Sequence, residues 1–141
     1  MQNKFLFFCL ILLSVAGPIS AASSTEVIRN GVARKLIAKE ALPNIPGHIL
    51  TAVTVQLNPG KIAAPHKHDA FVFVYLLEGR VRSQLGGDAP VDYTAGDSWT
   101  EPPGSLHTMT QNLSKTEFAK LLAVFVSKKG AKLTTSGSIG D

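Results

Sequence analysis

Short stretches in which apolar and polar positions alternate run through most of the chain, and turn residues separate them. Alternation with a period of two predicts β-strands, because successive side chains of a strand point to opposite faces. In the segment His48–Leu57, for example, Val53, Val55 and Leu57 share one face. The predicted strands are residues 48–57, 71–77, 80–85, 91–94, 106–110 and 118–127. The pattern therefore predicts an all-β protein, and no internal repeat divides it.

The strand at residues 71–77 is apolar on both faces. One face carries Val72, Val74 and Leu76, and the other carries Phe71, Phe73 and Tyr75. If the first set faces the interior, the aromatic set needs a second cover, either another sheet or a partner subunit. We therefore predict a homodimer that covers the aromatic row.

The first 22 residues have the pattern of a secretory signal peptide. Lys4 precedes an apolar run at residues 5–15, a Gly-Pro break follows, and Ser20-Ala21-Ala22 offers small residues for cleavage. The run is well short of the roughly 20 residues that a membrane span needs. Cleavage would also remove Cys9, the only cysteine. We predict a periplasmic or secreted protein that is free of the membrane after processing and has no disulfide.

Composition excludes some classes of partner. The 141 residues are 45% hydrophobic and 17% charged, which suits one domain with a modest core. The net charge is +4 at pH 7, one less without Lys4, and the longest basic run is Lys128-Lys129. A mild and scattered charge without interleaved aromatic residues argues against nucleic acid as a partner.

Three of the four histidines fall in two short stretches that suggest a metal site. His66 and His68 are two residues apart, so on an extended chain both imidazoles point to one side and can bind one ion. Pro65 disfavours a helix there. His107 follows a Pro-Pro-Gly corner about thirty residues later and is the third candidate ligand. We predict His48, which has no such context, to be a plain surface residue.

The two stretches resemble the two sequence motifs of the cupin superfamily. Gly60, His66, His68 and Gly79 match the first motif, and Gly96, Pro102, Gly104 and His107 match the second. An asparagine often follows the second-motif histidine by four residues in the family, whereas here Gln111 has that place and Asn112 comes next. The resemblance implies a single-domain cupin-type double-stranded β-barrel, or jelly roll, over residues 42–128. Residues 23–41 would be a lead-in, in which 32–41 is compatible with an edge strand or a short helix, and 129–141 a loose tail.

The chain departs from the first motif at its glutamate. Phe71 and Val72 stand where that carboxylate is expected, so an apolar residue occupies the usual ligand position. Glu101 is the candidate replacement, because it points into the barrel near His107 if it shares a face with Trp99. Two alternatives follow: a three-histidine site, or a site of three histidines and Glu101, which could instead act as acid or base or be structural.

Neutral imidazoles with or without a carboxylate suit Fe, Mn, Ni, Co, Cu or Zn, so ligand type leaves the divalent metal open. The first functional hypothesis is a metal-dependent enzyme for a small molecule. The resemblance allows a dioxygenase, and equally a lyase or isomerase in which Glu101 moves a proton. The second hypothesis is a periplasmic module that binds a small ligand or sequesters metal without turnover.

Overall fold

The structure is a computed structural model that describes residues 26–137 of the chain. It contains twelve strands and, among these residues, no helix, which confirms the all-β prediction. The strands are β1 (Glu26–Arg29), β2 (Val32–Ala41), β3 (His48–Leu57), β4 (Ile62–Ala63), β5 (His66–Lys67), β6 (Phe71–Glu78), β7 (Arg80–Leu85), β8 (Val91–Thr94), β9 (Ser98–Glu101), β10 (Leu106–Asn112), β11 (Ala119–Lys128) and β12 (Thr135–Ser136). The predicted signal peptide lies outside the described residues. Within them, no helix has the length and apolar character needed to cross a membrane.

The strands form two antiparallel sheets that face each other. The first sheet has the order β1-β2-β3-β11-β6-β9, and the second has the order β12-β5-β10-β7-β8 with β4 added beside β10. Neighbours in the sheets are often far apart in sequence, as where β11 pairs with both β3 and β6. This is the jelly-roll arrangement, in which the space between the sheets holds the core.

Apolar side chains from alternate strand positions fill that space. The core includes Leu57, Val72, Leu76 and Val81, each at most 1% exposed. In β6 and β11 every second residue is buried, as the period of two requires. Three residues of the β6 interior set, Val72, Val74 and Leu76, are thus confirmed as core.

The turn between β6 and β7 depends on Gly79. Its φ angle is +84°, and a Cβ atom there would lie 2.8 Å from the carbonyl oxygen of Phe118. A larger residue would strain the backbone and displace the start of β11. The closing glycine of the first motif therefore has a packing role.

The region before residue 42 is part of the first sheet. β2 pairs with β3 along most of its length, and β1 pairs with β2 as a hairpin. Residues 32–41 therefore form a strand and not a short helix. It is not an edge strand, because β1 pairs with its outer side. The first sheet therefore begins before the predicted boundary at residue 42. The ten-residue strand β2 pairs with β3 and extends the surface that covers the core.

A β-bulge in β10 changes which residues point inward. Its register against β7 shifts between His107 and Met109, so the inward alternation resumes at Thr110 and Asn112. An inserted residue reverses the parity of the strand beyond it. Met109 therefore does not share the face of His107, although unbroken alternation along the predicted strand 106–110 would have placed it there. Asn112 is buried and donates hydrogen bonds to the carbonyl oxygens of Leu57, Asn58 and Glu117.

The segment after residue 128 is not loose as far as it is described. β12 pairs with β5, and the backbone N–H of Asp69 donates a hydrogen bond to the carbonyl oxygen of Lys132. Gly137 packs so closely on Leu106 that a Cβ atom would lie 2.7 Å from its Cδ1. This segment, residues 131–137, closes one side of the barrel beside the histidine motif.

Candidate metal centre

Two strands of the second sheet bring the three histidines together. His66 lies on β5, and its direct partner in the ladder is His107 on β10. His68 follows two residues after His66 and points to the same side. One nitrogen from each ring lies within 4.8 Å of the others, and the residues are partly or fully buried. The sequence prediction that these three side chains converge is therefore matched by their placement, while their role as ligands stays a prediction.

Backbone carbonyls set the tautomers of two of the rings. The Nδ1–H of His66 donates to the carbonyl oxygen of Ala64 over 2.7 Å, and that of His68 donates to Leu133 over 2.5 Å. A carbonyl oxygen only accepts hydrogen bonds, so in each neutral ring the proton is on Nδ1 and the lone pair is on Nε2. Both rings thus present a metal-binding nitrogen inward, with the opposite nitrogen held by a second partner as metal-site histidines usually are.

His107 is held by two hydroxyl groups. Its Nε2 lies 2.8 Å from Ser83 Oγ and 2.9 Å from Thr110 Oγ1. Hydroxyls both donate and accept, so they satisfy this ring in either neutral tautomer. The Nδ1 atom is therefore the nitrogen of His107 that faces the centre of the cluster.

Glu101, on β9 of the first sheet, lies beside the histidine cluster. It is 1% exposed and accepts a hydrogen bond from Trp99 Nε1 over 3.0 Å, so the predicted shared face of these two residues is observed. Its Oε1 lies 3.1 Å from His107 Nδ1, and its Oε2 lies 3.5 Å from His68 Nε2. Among the described residues, no hydrogen-bond donor reaches the buried Oε2 atom. A buried carboxylate oxygen without a donor is costly unless a cation faces it.

The position of Glu101 explains the valine in the first motif. Val72 and Glu101 are direct partners across β6 and β9, so both point to the same face at the same level. The carboxylate expected on β6 is thus replaced by one on the adjacent strand. The carboxylate thus lies one strand away from its usual position in the family and is still beside the histidines.

The three histidines are grouped closely enough to hold one ion, and Glu101 lies beside two of them. Two ligand atoms that are each about 2.1 Å from a metal are about 3.0 Å apart at a right angle and about 3.4 Å apart at a tetrahedral angle. The separations of the Glu101 oxygens from His107 and His68, 3.1 and 3.5 Å, fall close to these values. Three imidazoles fit a divalent transition metal, and Glu101 is the candidate for a fourth ligand.

The electrostatics keep the ligands in the forms that bind metal. Burial lowers the pKa of His66 to about 4, and burial likewise lowers the pKa of His68, although the carbonyl of Leu133 acts in the opposite direction. Burial tends to raise the pKa of Glu101, but hydrogen bonding and charge from His107, with the Trp99 N–H, bring its pKa below the ordinary value. His66 and His68 are therefore neutral near pH 7, and Glu101 is ionised.

The cluster lies at the wall of a cavity of about 370 Å³ between the sheets. Most of the lining is apolar and comes from β3, β6 and β11, with Val55, Val74 and Phe125 among its members. Leu133 and Thr134 of segment 131–137 line it as well, and Arg34 of β2 adds a cation. The cavity has the size and character of a small-molecule site.

The Cupin domain family model matches residues 53–125, slightly more than half of the chain. The chain is a cupin. The match spans both histidine motifs and Glu101, and it begins within β3, after the hairpin that carries Arg34. No curated protein sequence matches this cupin.

Solved structures agree on the fold. A tryptophan-to-phenylalanine variant of oxalate decarboxylase from Bacillus subtilis aligns with a TM-score of 0.66 and 23% identity, over 82% of this chain and 30% of that one. An arginine-to-alanine variant of the same decarboxylase gives 0.66 and 25%, over 81% and 30%. An RmlC-like cupin from Shewanella frigidimarina gives 0.60 and 22%, over 78% and 89%. The chain spans less than a third of the decarboxylase, so these likenesses establish the barrel and not an activity.

Sequence patterns missed several residues of this centre. The carbonyl of Leu133 orients His68, but a backbone group leaves no mark in the residue type, and no pattern could have identified it. Thr110 was missed because the bulge in β10 cannot be read from the alternation. Arg34 is two residues from both Val32 and Leu36 and so shares their face of the strand, which was a usable sign that it lies on the cavity side.

We expect the metal-free protein to lose stability as the pH falls from about 6.5 to about 4. Unfolded His66 takes up a proton near pH 6.5, whereas the folded residue does so only near its pKa of about 4, so the unfolded state binds more protons in this range. The loss should reach up to about 3 kcal/mol, because each pH unit of difference corresponds to about 1.4 kcal/mol. Urea unfolding with a chelator at pH 7 and pH 4.5 measures it. Equal stability at both pH values would contradict it, and His48→Gln, outside the cluster, should keep the full pH dependence.

Proposed function

We propose that this cupin is a metal-dependent enzyme that acts on a small organic molecule with a largely apolar body. The observation that carries the proposal is the buried Glu101 oxygen that faces His68 without a donor, at the wall of an apolar cavity. A divalent ion bound there would supply Lewis acidity, and in the case of a redox metal also electron transfer. Three imidazoles and one carboxylate leave positions free for a substrate atom or water.

The side chains around the ion would then have three different roles. His66 and His68, held by backbone carbonyls, present fixed nitrogens and so keep the geometry rigid. Glu101 either remains a ligand or uses its free Oε2 to accept a proton from a substrate atom in the cavity. Val55, Val74 and Phe125 exclude water from the site and contact the substrate body.

Two reaction classes fit this arrangement. A dioxygenase needs a redox-active metal and O₂ at the free positions, while a lyase or isomerase needs a polarised carbonyl and a proton acceptor such as Glu101. One aligned structure is named an oxalate decarboxylase, and a decarboxylase is a lyase, which favours the second class. The alternative outside catalysis, a module that binds a small ligand or metal without turnover, uses the same cavity.

Elemental analysis of the protein purified from its own cell, followed by assays with the native metal, tests the proposal. Substrate-dependent O₂ uptake would assign the dioxygenase, and substrate loss without O₂ uptake would assign the lyase or isomerase. A protein that holds metal and ligand without turning over any compound of a broad panel would favour the binding module. A protein that binds no transition metal would refute the metal-dependent function.

We further propose that the protein is exported to the periplasm or secreted and acts as a homodimer. The pattern of residues 1–22 supports export. The outer face of β6 supports the dimer, because Phe71, Phe73, Tyr75 and Leu77 are 38 to 42% exposed there. The second sheet packs on the opposite face, so nothing among the described residues buries this row. A second copy would cover it.

The expected result is a dimer at micromolar concentration that Phe73→Lys converts to a monomer. A charge in the middle of the row would have to be buried without a partner, which opposes association. Light scattering measures the mass. Val91→Lys is the matched control, because Val91 is 49% exposed on the other sheet and should leave the dimer intact. A monomeric parent protein would rule out the proposal.

A further inference from the structure

A second cavity, of about 550 Å³, adjoins the metal centre on the side of the β1–β2 hairpin. Arg34 and Ala63 line both cavities, so the two spaces meet at these residues. The second cavity also contains Arg29 and Lys61, and no Asp or Glu of the described chain lines it. Three cations therefore surround one space without an acidic neighbour in its wall.

The two arginines share one face of the hairpin. Arg34 is the direct partner of Val27, and Arg29 is the direct partner of Val32, so all four side chains point to the side of the sheet that faces the cavities. Arg34 is also the direct partner of Val55, which lines the metal cavity. Arg29 and Arg34 are thus diagonal neighbours, a separation of about 7–8 Å at which like charges repel.

The charges are left without a counter-ion in the part of the chain that the structure describes. Neither arginine forms an ion pair with a described carboxylate, and the only arginine that does is Arg82, on the other sheet, with Asp92. Partial burial and the charge of Arg29 lower the pKa of Arg34, and the charge of Arg34 also acts on His68. An anion between the guanidinium groups would relieve the repulsion and form charge-assisted hydrogen bonds.

We propose that Arg29 and Arg34 bind the carboxylate of an organic anion whose apolar body extends into the metal cavity. This inference rests on the proposed function and adds the substrate class, an apolar carboxylate, with Arg34 as the main determinant of specificity. The apolar walls of Val55, Val74 and Phe125 accept the body, while the guanidinium groups hold the charged end. The metal then faces the body of the ligand and not its carboxylate.

Binding of benzoate and of benzamide to the full chain tests the proposal, first with the protein metal-free. Calorimetry should detect benzoate, with affinity that falls as salt rises, and should find benzamide at least about 10-fold weaker, because only the carboxylate forms charge-assisted bonds. In Arg29→Gln/Arg34→Gln, benzoate affinity should fall about 10–100-fold. Lys35→Gln is the matched control, since it removes one charge from the same strand on the opposite face, and it should change the affinity less than about 2-fold.

Two results with the metal-free protein would overturn the proposal. One is benzoate affinity in the double arginine variant equal to that of the parent protein, and the other is benzamide binding as tightly as benzoate. Because the metal-free protein is used, a failure here is separate from a failure of the metal-dependent function. Benzoate that binds only after metal loading, and equally in the arginine variant, would mean that the ion itself takes the carboxylate, which also refutes the proposal.

Discussion

Replacement of His66, His68 or His107 by alanine is expected to remove most of the bound metal. Each ring presents one nitrogen to the common centre, and those nitrogens lie within 4.8 Å of one another. The loss of one strong ligand should weaken affinity by more than about 100-fold, since changes at residues that merely support a ligand already cost about 10–100-fold. Elemental analysis after dialysis against a weak chelator measures the retained metal for each variant.

The control for these variants is His48→Ala. His48 opens β3 and lies outside the cluster, with its Nδ1 3.3 Å from the carbonyl oxygen of Pro46. This variant should keep the metal content of the parent protein. If the variant that lacks all three cluster histidines still held one metal per chain, the ion would be bound elsewhere and the assignment would fail.

The sequence was sufficient to predict the barrel and the three histidines. Alternation of period two is a direct consequence of strand geometry, so the core face of β6 could be read from Val72, Val74 and Leu76. The His-x-His pair and the Pro-x-Gly corner place their side chains by local geometry alone. Features that local geometry determines can be predicted from a single sequence. The resemblance of both stretches to cupin motifs then predicted that the histidines of β5 and β10 lie together.

The rest depends on contacts between distant segments, which one sequence does not encode locally. The bulge after His107 depends on how β10 fits against β7, and it brings Thr110 instead of Met109 beside the ring. Residues 131–137 belong to the segment 129–141, which was predicted to be a loose tail because Ser, Thr and Gly have weak preferences for regular secondary structure. Their order comes from pairing with β5 and from the hydrogen bond of His68 to Leu133.

The β1–β2 hairpin, near the start of the described chain, also depends on contacts that the sequence does not show locally. Residues 23–41 were predicted to be a lead-in because their composition is mixed polar and apolar, and the sequence did not decide between strand and helix for residues 32–41. β3 provides the edge on which β2 forms, and the ladder then turns Arg34 toward the cavity. Pairing with a distant strand therefore decided both the secondary structure and the placement of a charge.

Glu101→Gln is the sharpest probe of the centre, because the amide has nearly the same shape as the carboxylate and keeps an oxygen for Trp99 Nε1 to donate to. The change removes the negative charge that faces His68 and His107, over 3.5 and 3.1 Å. We expect metal affinity to fall about 10–100-fold, because a neutral amide oxygen is a much weaker ligand for a divalent transition metal. Glu78→Gln is the control, since Glu78 is an exposed residue at the end of β6.

Metal titration and activity measured on the same samples separate the roles of Glu101. A loss of affinity assigns it as the fourth ligand, which accounts for the buried Oε2 atom that no described donor reaches. Unchanged metal with turnover lowered by about 10²–10⁴-fold would instead make it an acid or base in the reaction. If neither quantity changed, the site would consist of three histidines, and the carboxylate would serve only the packing of Trp99. The first outcome is expected, because the buried Oε2 atom has no described donor and lies on the side of the carboxylate that faces His68.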